Sequence, residues 1–384
     1  MSQQIRGRFE AQPDTSRSKP RRLVRSAVLV AVLLLALARI GTEAIKLLTY
    51  ADLLLGGGRM LVYGDVQKVD LGTSIARNGL SIPILTEVPE EAPTEDYILK
   101  LNDGTTIVYQ GHTYELNRNL TTVLLLGIDH TIQDETLPGN GGQSDVILLA
   151  GLDTVTGEAN LLEISREANA EVDVYSISNR FIETRFEQIT LAYAYGNGRE
   201  TSCENTVRAV SRLLFGLPIS AYLAIDLDGL MEANEVIGGV TVKSLIDVQL
   251  PDGTNVKEGD MVELHGKNLD RYIRTRTGAL DGNQKRMERQ KQFLLEFTKQ
   301  AVARAKENVT FPVELFSALS PYTVTNLDIP DVTFISSVFL NHGAQFNLRT
   351  IQGTLEQYNE SSIYYLDEVD LFEAVLQVFY IRVD

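Results

Sequence analysis

The first long apolar run of the chain, Ser26 to Ala38, carries no charge and follows directly on Arg17, Lys19, Arg21, Arg22 and Arg25. Lys and Arg on one flank of such a run mark the cytoplasmic side of a membrane segment. The run is shorter than the about 20 residues that a membrane helix needs, but Arg39 can snorkel and Ile40 to Leu48 can extend the helix. The pattern predicts a cytoplasmic tail over 1–22 and a single transmembrane helix over 23–42. A cleavable signal peptide fits the same grammar, with Ala36-Leu37-Ala38 after a short apolar core. Both alternatives place the rest of the chain outside the cell.

Residues 43–120 read as a juxtamembrane helix over 43–60 that ends at Gly56-Gly57-Gly58, an acidic linker from Glu87 to Glu95, and a small β extension. In the extension, Tyr97 to Leu101 and Thr105 to Tyr109 flank Asn102-Asp103-Gly104, a hairpin signal, and Gly111 to Leu116 adds a short strand. The main domain, 121–302, opens with the apolar Thr121 to Leu126, which stops at Gly127-Ile128-Asp129 before a Gly-rich loop. Val146 to Leu152 and Asn160 to Ile164 are two further strands, and the tight connection Asp153 to Gly157 makes them antiparallel neighbours. Asn205 to Leu214, with apolar residues at 207, 210, 213 and 214 and a stop at Gly216, is an amphipathic helix. Tyr222 to Ile225, Leu227 to Ile237 and Val240 to Val242 continue as strand, helix and strand. This alternation predicts an α/β fold, a mixed sheet layered between helices. Residues 303–384 read as an α/β appendix, with strand and helix signals in Tyr364 to Phe379 and no apparent chemistry.

The 384 residues, 44% of them hydrophobic, are enough to bury a core, and 51 acidic against 35 basic side chains give a formal charge of -16. That charge repels a nucleic-acid backbone, so no nucleic-acid partner is expected. Cys203 is the only cysteine and reads as a small buried hydrophobe near a helix start. The four histidines, His112, His130, His265 and His342, lack metal-ligand spacing, although His130 adjoins Asp129.

Candidate chemistry comes from the strand pairing. In an antiparallel pair the start of one strand lies beside the end of the other, so Asp145 and Arg166 fall on one edge of the sheet. If the first strand runs parallel to the third, Asp129 joins them, at the strand ends where open α/β sheets hold ligands. A second group is basic: Lys267, Arg271, Arg274, Arg276, Lys285, Arg286, Arg289 and Lys291 crowd one segment of an acidic chain. On a strand, Arg274 and Arg276 share a face; on a helix, Arg286, Arg289 and Gln290 do. Guanidinium forks suit phosphate oxygens, and paired carboxylates hold Mg²⁺ in phosphate chemistry, so the expected ligand is a metal-bound phosphate group.

The ordered set Leu126-Gly-Ile-Asp129, Gln143-Ser-Asp145, Ile164-Ser-Arg166-Glu167, Leu191-Ala-Tyr-Ala-Tyr-Gly196, Val236-Ile-Gly-Gly-Val-Thr-Val242, Tyr272-Ile-Arg-Thr-Arg276 and Arg286-Met-Glu-Arg-Gln290 resembles the LytR-CpsA-Psr family over about 121–302. The resemblance implies a membrane-anchored phosphotransferase with its catalytic domain outside the cell. Such an enzyme moves an anionic glycopolymer, of teichoic acid or capsule type, from a polyprenyl-pyrophosphate carrier to peptidoglycan through a phosphodiester. It further implies that Asp129 and Asp145 hold Mg²⁺ (or Mn²⁺), that Arg166, Arg274, Arg276, Arg286 and Arg289 grip the pyrophosphate, that Gln290 borders it, and that an apolar tunnel takes the prenyl tail. Gln143 stands where the family often has an arginine, Gln188 where it often has a lysine, and Ser165 and Glu167 where Pro and Asp are frequent. Asn283, not Asp281, falls where an acidic residue is common. Two other functions carry over as alternatives: a non-catalytic receptor for prenyl pyrophosphate or wall polymer, and a transcriptional attenuator, as relatives are often named. The charge and the expected export both argue against the second.

Overall fold

Two left-handed residues, Gln110 (φ 51°) and Gly111 (φ 77°), turn the chain between antiparallel strands β1 (Thr106–Tyr109) and β2 (His112–Leu116). A pair of positive φ angles gives the hairpin turn whose twist suits the flanking strands. The computed structural model describes residues 103–132, 135–275, 288–289, 292–293, 296–297, 299–301, 303–304, 307–308, 310–342, 345–358 and 361–384. The expected membrane helix, the juxtamembrane helix and the strand at 97–101 lie outside the described residues. Among the described residues no helix is long and apolar enough to cross a membrane.

Strand β3 (Leu120–Ile128) is apolar almost throughout and is buried at all but one position, as a strand covered on both faces must be. It pairs antiparallel with β4 (Ser144–Asp153), which pairs antiparallel with β5 (Glu158–Ile164). β3 and β5 therefore run the same way. The turn between β4 and β5 is closed by Asp153, whose Oδ1 accepts from the amides of Val155 (2.9 Å) and Thr156 (2.8 Å). Such side-chain turns give Asp its preference for these positions.

After β5 the chain makes a second hairpin from β6 (Asn169–Tyr175) and β7 (Phe181–Gln188), an element that the periodicity did not indicate. Helices α1 (Leu191–Ala194) and α2 (Glu200–Leu213) follow, and α2 ends at Phe215 and Gly216, both with positive φ. Strand β8 (Ala221–Ile225) then lies parallel to β3 on its free side. Asp226 caps helix α3 (Leu227–Val236) by accepting from the Gly229 amide. Small strands β9 (Val240–Lys243), β10 (Val248–Gln249), β11 (Asn255–Val256) and β12 (Met261–Leu264) lead to helix α4 (Gly266–Arg274). Arg274 thus closes a helix, where the sequence had offered a strand for it.

The last third of the described chain corrects the expectation of an appendix over 303–384. Helix α5 (Phe311–Leu319) is followed by β13 (Thr323–Thr325), helix α6 (Ile329–His342) by β14 (Gln345–Thr350), and hairpin β15 (Gly353–Tyr358) and β16 (Ser361–Leu366) by helix α7 (Glu368–Phe379) and β17 (Tyr380–Arg382). The six-stranded mixed sheet has the order β13-β8-β3-β4-β5-β14, so both outer strands come from this region, and β17 joins β2. Neither β13 nor β14 has a pairing partner nearby in sequence, so neither declares itself from local pattern alone.

Alternate residues of the sheet feed two cores. Val123, Leu125, Leu148 and Leu161 pack with α3, α4, α5, α6 and the helical residues Phe293 and Phe297. Leu124, Leu126, Ile147 and Leu162 pack with α1, α2, α7 and the β6 side of the hairpin. The result is the α-β-α layering that the alternation predicted.

Candidate functional site

β3, β5 and β8 all end at the same edge of the sheet, and β4 begins there. That edge gathers Asp129 after β3, Asp145 on β4, Arg166 after β5 and Asp226 after β8. In the β3 and β4 pairing, Gly127 faces Val146 and Ile128 faces Ser144, so Asp145 is the extra residue of a β-bulge. Bulges re-aim a side chain in this way at the ends of ladders. The register of β4 against β5, in which Ile147 faces Ile164, sets Asp145 opposite Arg166 when continued by two residues. The Arg166 Nη1 donates to Asp145 Oδ1, and both side chains are partly buried.

Asp129 is exposed and held by the loop that precedes β4. Its amide donates to the Gln143 carbonyl (3.2 Å), and its Oδ1 accepts from the Gln143 amide at 2.7 Å. Gly142 makes this clasp possible. Its φ is +82°, and a Cβ there would lie 2.4 Å from His130 Cβ and 2.8 Å from Asp129 Oδ1. Gln143 therefore reaches Asp129 through its backbone, not through the side chain that replaces the family's usual arginine. Gln188 lies at the end of β7, where its Nε2 donates to the Ser362 carbonyl of β16.

The residues after Arg166 are anchored as firmly. The Arg166 carbonyl accepts from the Thr190 amide (3.1 Å), and the Thr190 hydroxyl donates to the Ser144 carbonyl (3.0 Å). Ser362 donates to Glu167 Oε1 at 2.9 Å. Glu167 thus ties the β15 and β16 hairpin to the edge.

The basic group behaves differently. Arg274 sits exposed at the end of α4, with its Nε 2.5 Å from Asp270. Arg289 is 0% exposed and lies against Tyr272, within the core that holds α4. Its Nε donates to the Tyr272 carbonyl (2.9 Å) and its Nη2 to the Thr275 carbonyl, so the guanidinium caps the C-terminus of α4. The guanidinium carbon lies 5.8 Å from the centre of the Tyr272 ring. Nη1 has no partner. Burial pushes the Arg289 pKa down, opposed by the nearby Tyr272 and Glu288. Asp129, Asp145 and Arg166 share the strand-end edge of the sheet, with Asp145 and Arg166 in contact, while Arg274 and Arg289 lie at the end of α4. Among the described residues no hydrogen bond or ion pair joins the two groups. Arg276, Arg286 and Gln290, with Asp281 and Asn283, lie outside the described residues.

Asp226 is the edge residue that the sequence reading passed over. Besides Gly229 (2.8 Å) it accepts from the Ile132 amide (2.7 Å), which pins the start of the Asp129 loop to α3. Burial raises its pKa against these two amide bonds, with Asp228 raising it further. An aspartate between a strand end and a helix start was the available signal. Cys203 is fully buried, and burial pushes its thiol pKa far up, in keeping with a packing role.

The donor set can be tested for a divalent ion. Among the described residues no three His, Cys, Asp or Glu side chains are grouped for a metal. Asp129 and Asp145 each engage one carboxylate oxygen, and among the described residues the second oxygen of each takes no hydrogen bond. Two carboxylates with a free oxygen apiece fit Mg²⁺, which takes one or two protein carboxylates and completes its shell from phosphate and water.

A mixed sheet between helical layers, with two aspartates and an arginine at its strand ends, defines a layered α/β protein. The chain matches the LytR_cpsA_psr family over residues 91–377 and belongs to that family. It is 23% identical over 245 residues to the polyisoprenyl-teichoic acid–peptidoglycan teichoic acid transferase TagU of Halalkalibacterium halodurans, covering 64% of this chain and 73% of that protein. It is 24% identical over 219 residues to biofilm regulatory protein A of Streptococcus mutans, covering 55% of this chain and 51% of that one. The crystal structure of Bacillus subtilis TagV has the same fold, with a TM-score of 0.50 at 20% identity over 68% of this chain and 96% of that chain.

Proposed function

We propose that this protein is a phosphotransferase that moves an anionic cell-wall glycopolymer from a polyprenyl-pyrophosphate carrier to peptidoglycan, working outside the cell from a single-pass membrane anchor. The observation that carries this reading is the bulged Asp145, held against Arg166 beside Asp129 at the sheet edge. The names of its relatives support transfer of a teichoic acid to peptidoglycan, as printed for TagU.

Arg166, already oriented by Asp145, offers its remaining N–H groups to a phosphate oxygen and fixes the pyrophosphate against the strand ends. Asp129 and Asp145 would hold the Mg²⁺ (or Mn²⁺), which when bound offsets the charge that builds on the phosphate oxygens. An acceptor sugar hydroxyl then attacks the glycan-bearing phosphorus in line. The new O–P bond forms as the P–O bond to the polyprenyl phosphate breaks, and the hydroxyl proton passes to Asp129 or to solvent. Positioning and charge supply nearly all of the acceleration in such a reaction. Arg274, Arg276, Arg286 and Gln290 are proposed to complete the grip on the pyrophosphate, with Gln143 and Gln188 at its margin, while Arg289 holds the end of the helix that carries Arg274.

The replacement of two family cations by Gln143 and Gln188 favours a second reading, a receptor that binds the same ligand without transferring it. One assay separates the two. Full-length protein in detergent is incubated with a polyprenyl-pyrophosphate glycan, Mg²⁺ and peptidoglycan oligomers. Transfer is expected, falling by about a hundredfold or more in Asp145→Ala, as when one charge-stabilising group is lost from an active site. Binding without transfer in the unaltered chain, or transfer untouched by Asp145→Ala, overturns the enzyme reading.

A further inference from the structure

The β6 and β7 hairpin leaves Phe186 57% exposed, and beside it Tyr365 of β16 is 41% exposed. The two rings line a crevice of about 160 Å³ between the hairpin, the end of α2 and the start of α7. Leu213 and Leu371 contribute an apolar floor, and Asn169, Glu171, Arg212 and Glu368 line it with polar groups. That volume is well below the about 300–1,000 Å³ of sites for drug-sized molecules, so it takes one ring-sized group at a time.

Three features of the crevice select its ligand. Two exposed aromatic rings cost free energy in water and gain it against an apolar face. Glu171, Glu368 and Asn169 make no side-chain hydrogen bond to any described residue, so their capacity faces the crevice. Arg212 is neutralised, since its two Nη atoms lie 2.7 Å and 3.0 Å from the oxygens of Asp173. The lining is therefore aromatic, rich in hydrogen-bond acceptors and locally negative. A phosphate polymer is repelled by such a surface. A pyranose, with an apolar ring face and an equatorial rim of hydroxyl and amide donors, matches it.

The crevice also points to the site. In the hairpin register Asn169 faces Gln188 and Glu171 faces Phe186, so the crevice opens two residues, or about 7 Å, along the strand from Gln188. Glu171 is five residues past Arg166, a chain reach of at most about 18 Å. The crevice lies on the side of the sheet where α2 and α7 pack.

We propose that this crevice is a saccharide subsite that seats an uncharged N-acetylated sugar ring of the acceptor glycan on Phe186 and Tyr365, with its hydroxyl and amide groups bonded to Glu171, Glu368 and Asn169. The role as acceptor subsite rests on the transfer reading; the binding of a neutral sugar does not. The probe is a β-1,4-linked N-acetylglucosamine tetramer titrated calorimetrically into the full-length protein. Unaltered protein binds it, Phe186→Ala and Glu171→Gln each weaken binding by about tenfold, and Asp145→Ala leaves binding unchanged. In the transfer assay, Phe186→Ala raises the KM for the peptidoglycan acceptor without changing the KM for the lipid-linked donor. Phe186 is exposed, so an unchanged Tm confirms that the variant is folded. No binding of the tetramer, or binding by Phe186→Ala and Tyr365→Ala as tight as that of the unaltered protein, overturns the subsite. Binding lost in Phe186→Ala in a protein that shows no transfer upholds the subsite and removes the enzyme reading instead.

Discussion

Glu163 shows how a single side chain can work against the fold that holds it. It is 4% exposed between Leu148 of β4 and Thr350 of β14, its Oε2 accepts from the Thr350 hydroxyl at 2.7 Å, and among the described residues its Oε1 has no hydrogen-bond partner. Burial raises its pKa above the ordinary glutamate value of 4.5, and the Thr350 bond only partly offsets this. A carboxyl raised in the fold takes up a proton before the unfolded chain does. The fold therefore gains stability as pH falls through the raised value, and the gain is complete below the ordinary one. Glu163→Gln should stabilise the protein by about 1 kcal/mol at pH 8, or about 2–4 °C in Tm, and the advantage should vanish by pH 4. Melting curves across that range check it; a pH-independent difference would mean the charge is not the cause. Arg289 is the converse case, a buried cation that satisfies helix-end carbonyls which would otherwise be orphaned.

At the scale of elements, the β6 and β7 hairpin depends on one carboxylate. Asp173 accepts from Thr184 across the hairpin (2.6 Å) and from Arg212 of α2, with Arg208 of α2 at 3.4 Å. Burial pushes its pKa up, but the bonds from Arg212 and Thr184 and the charges of Arg212 and Arg208 outweigh this and hold it below the ordinary value. β7 is exposed along most of its length, so few apolar contacts share the task of docking it. Asp173→Asn should cost about 2 kcal/mol, between an exposed and a buried ion pair, and should speed amide exchange in β6 and β7 more than in β3 and β4. Uniform acceleration across all four strands would contradict local docking. The bulge at Asp145 belongs to this scale too. It is a product of two ladders with different registers, and no property of Gln143-Ser-Asp145 by itself announces it.

At the scale of the whole molecule, the two sides of the sheet are filled from distant parts of the chain. α7 supplies Phe372, Val375 and Phe379 to the core shared with α2, and β14 pairs with β5 from Gln345 against Glu158 to Thr350 against Glu163. A chain that ends at residue 302 loses both outer strands of the sheet together with that helix. It should fail to unfold cooperatively in calorimetry, whereas an independent appendix would leave the transition intact. What the sequence determined by itself was whatever short-range chemistry dictates. Apolar runs marked β3, β4 and β5, the Asp153 turn made two of them antiparallel, and that direction alone placed Asp145 and Arg166 at one edge. The tertiary structure decided what rests on contacts between residues far apart in the chain. The bulge that aims Asp145, the turning of Arg289 onto α4, the outer strands from the last third of the chain and the aromatic crevice all arise from pairings whose partners no local pattern names.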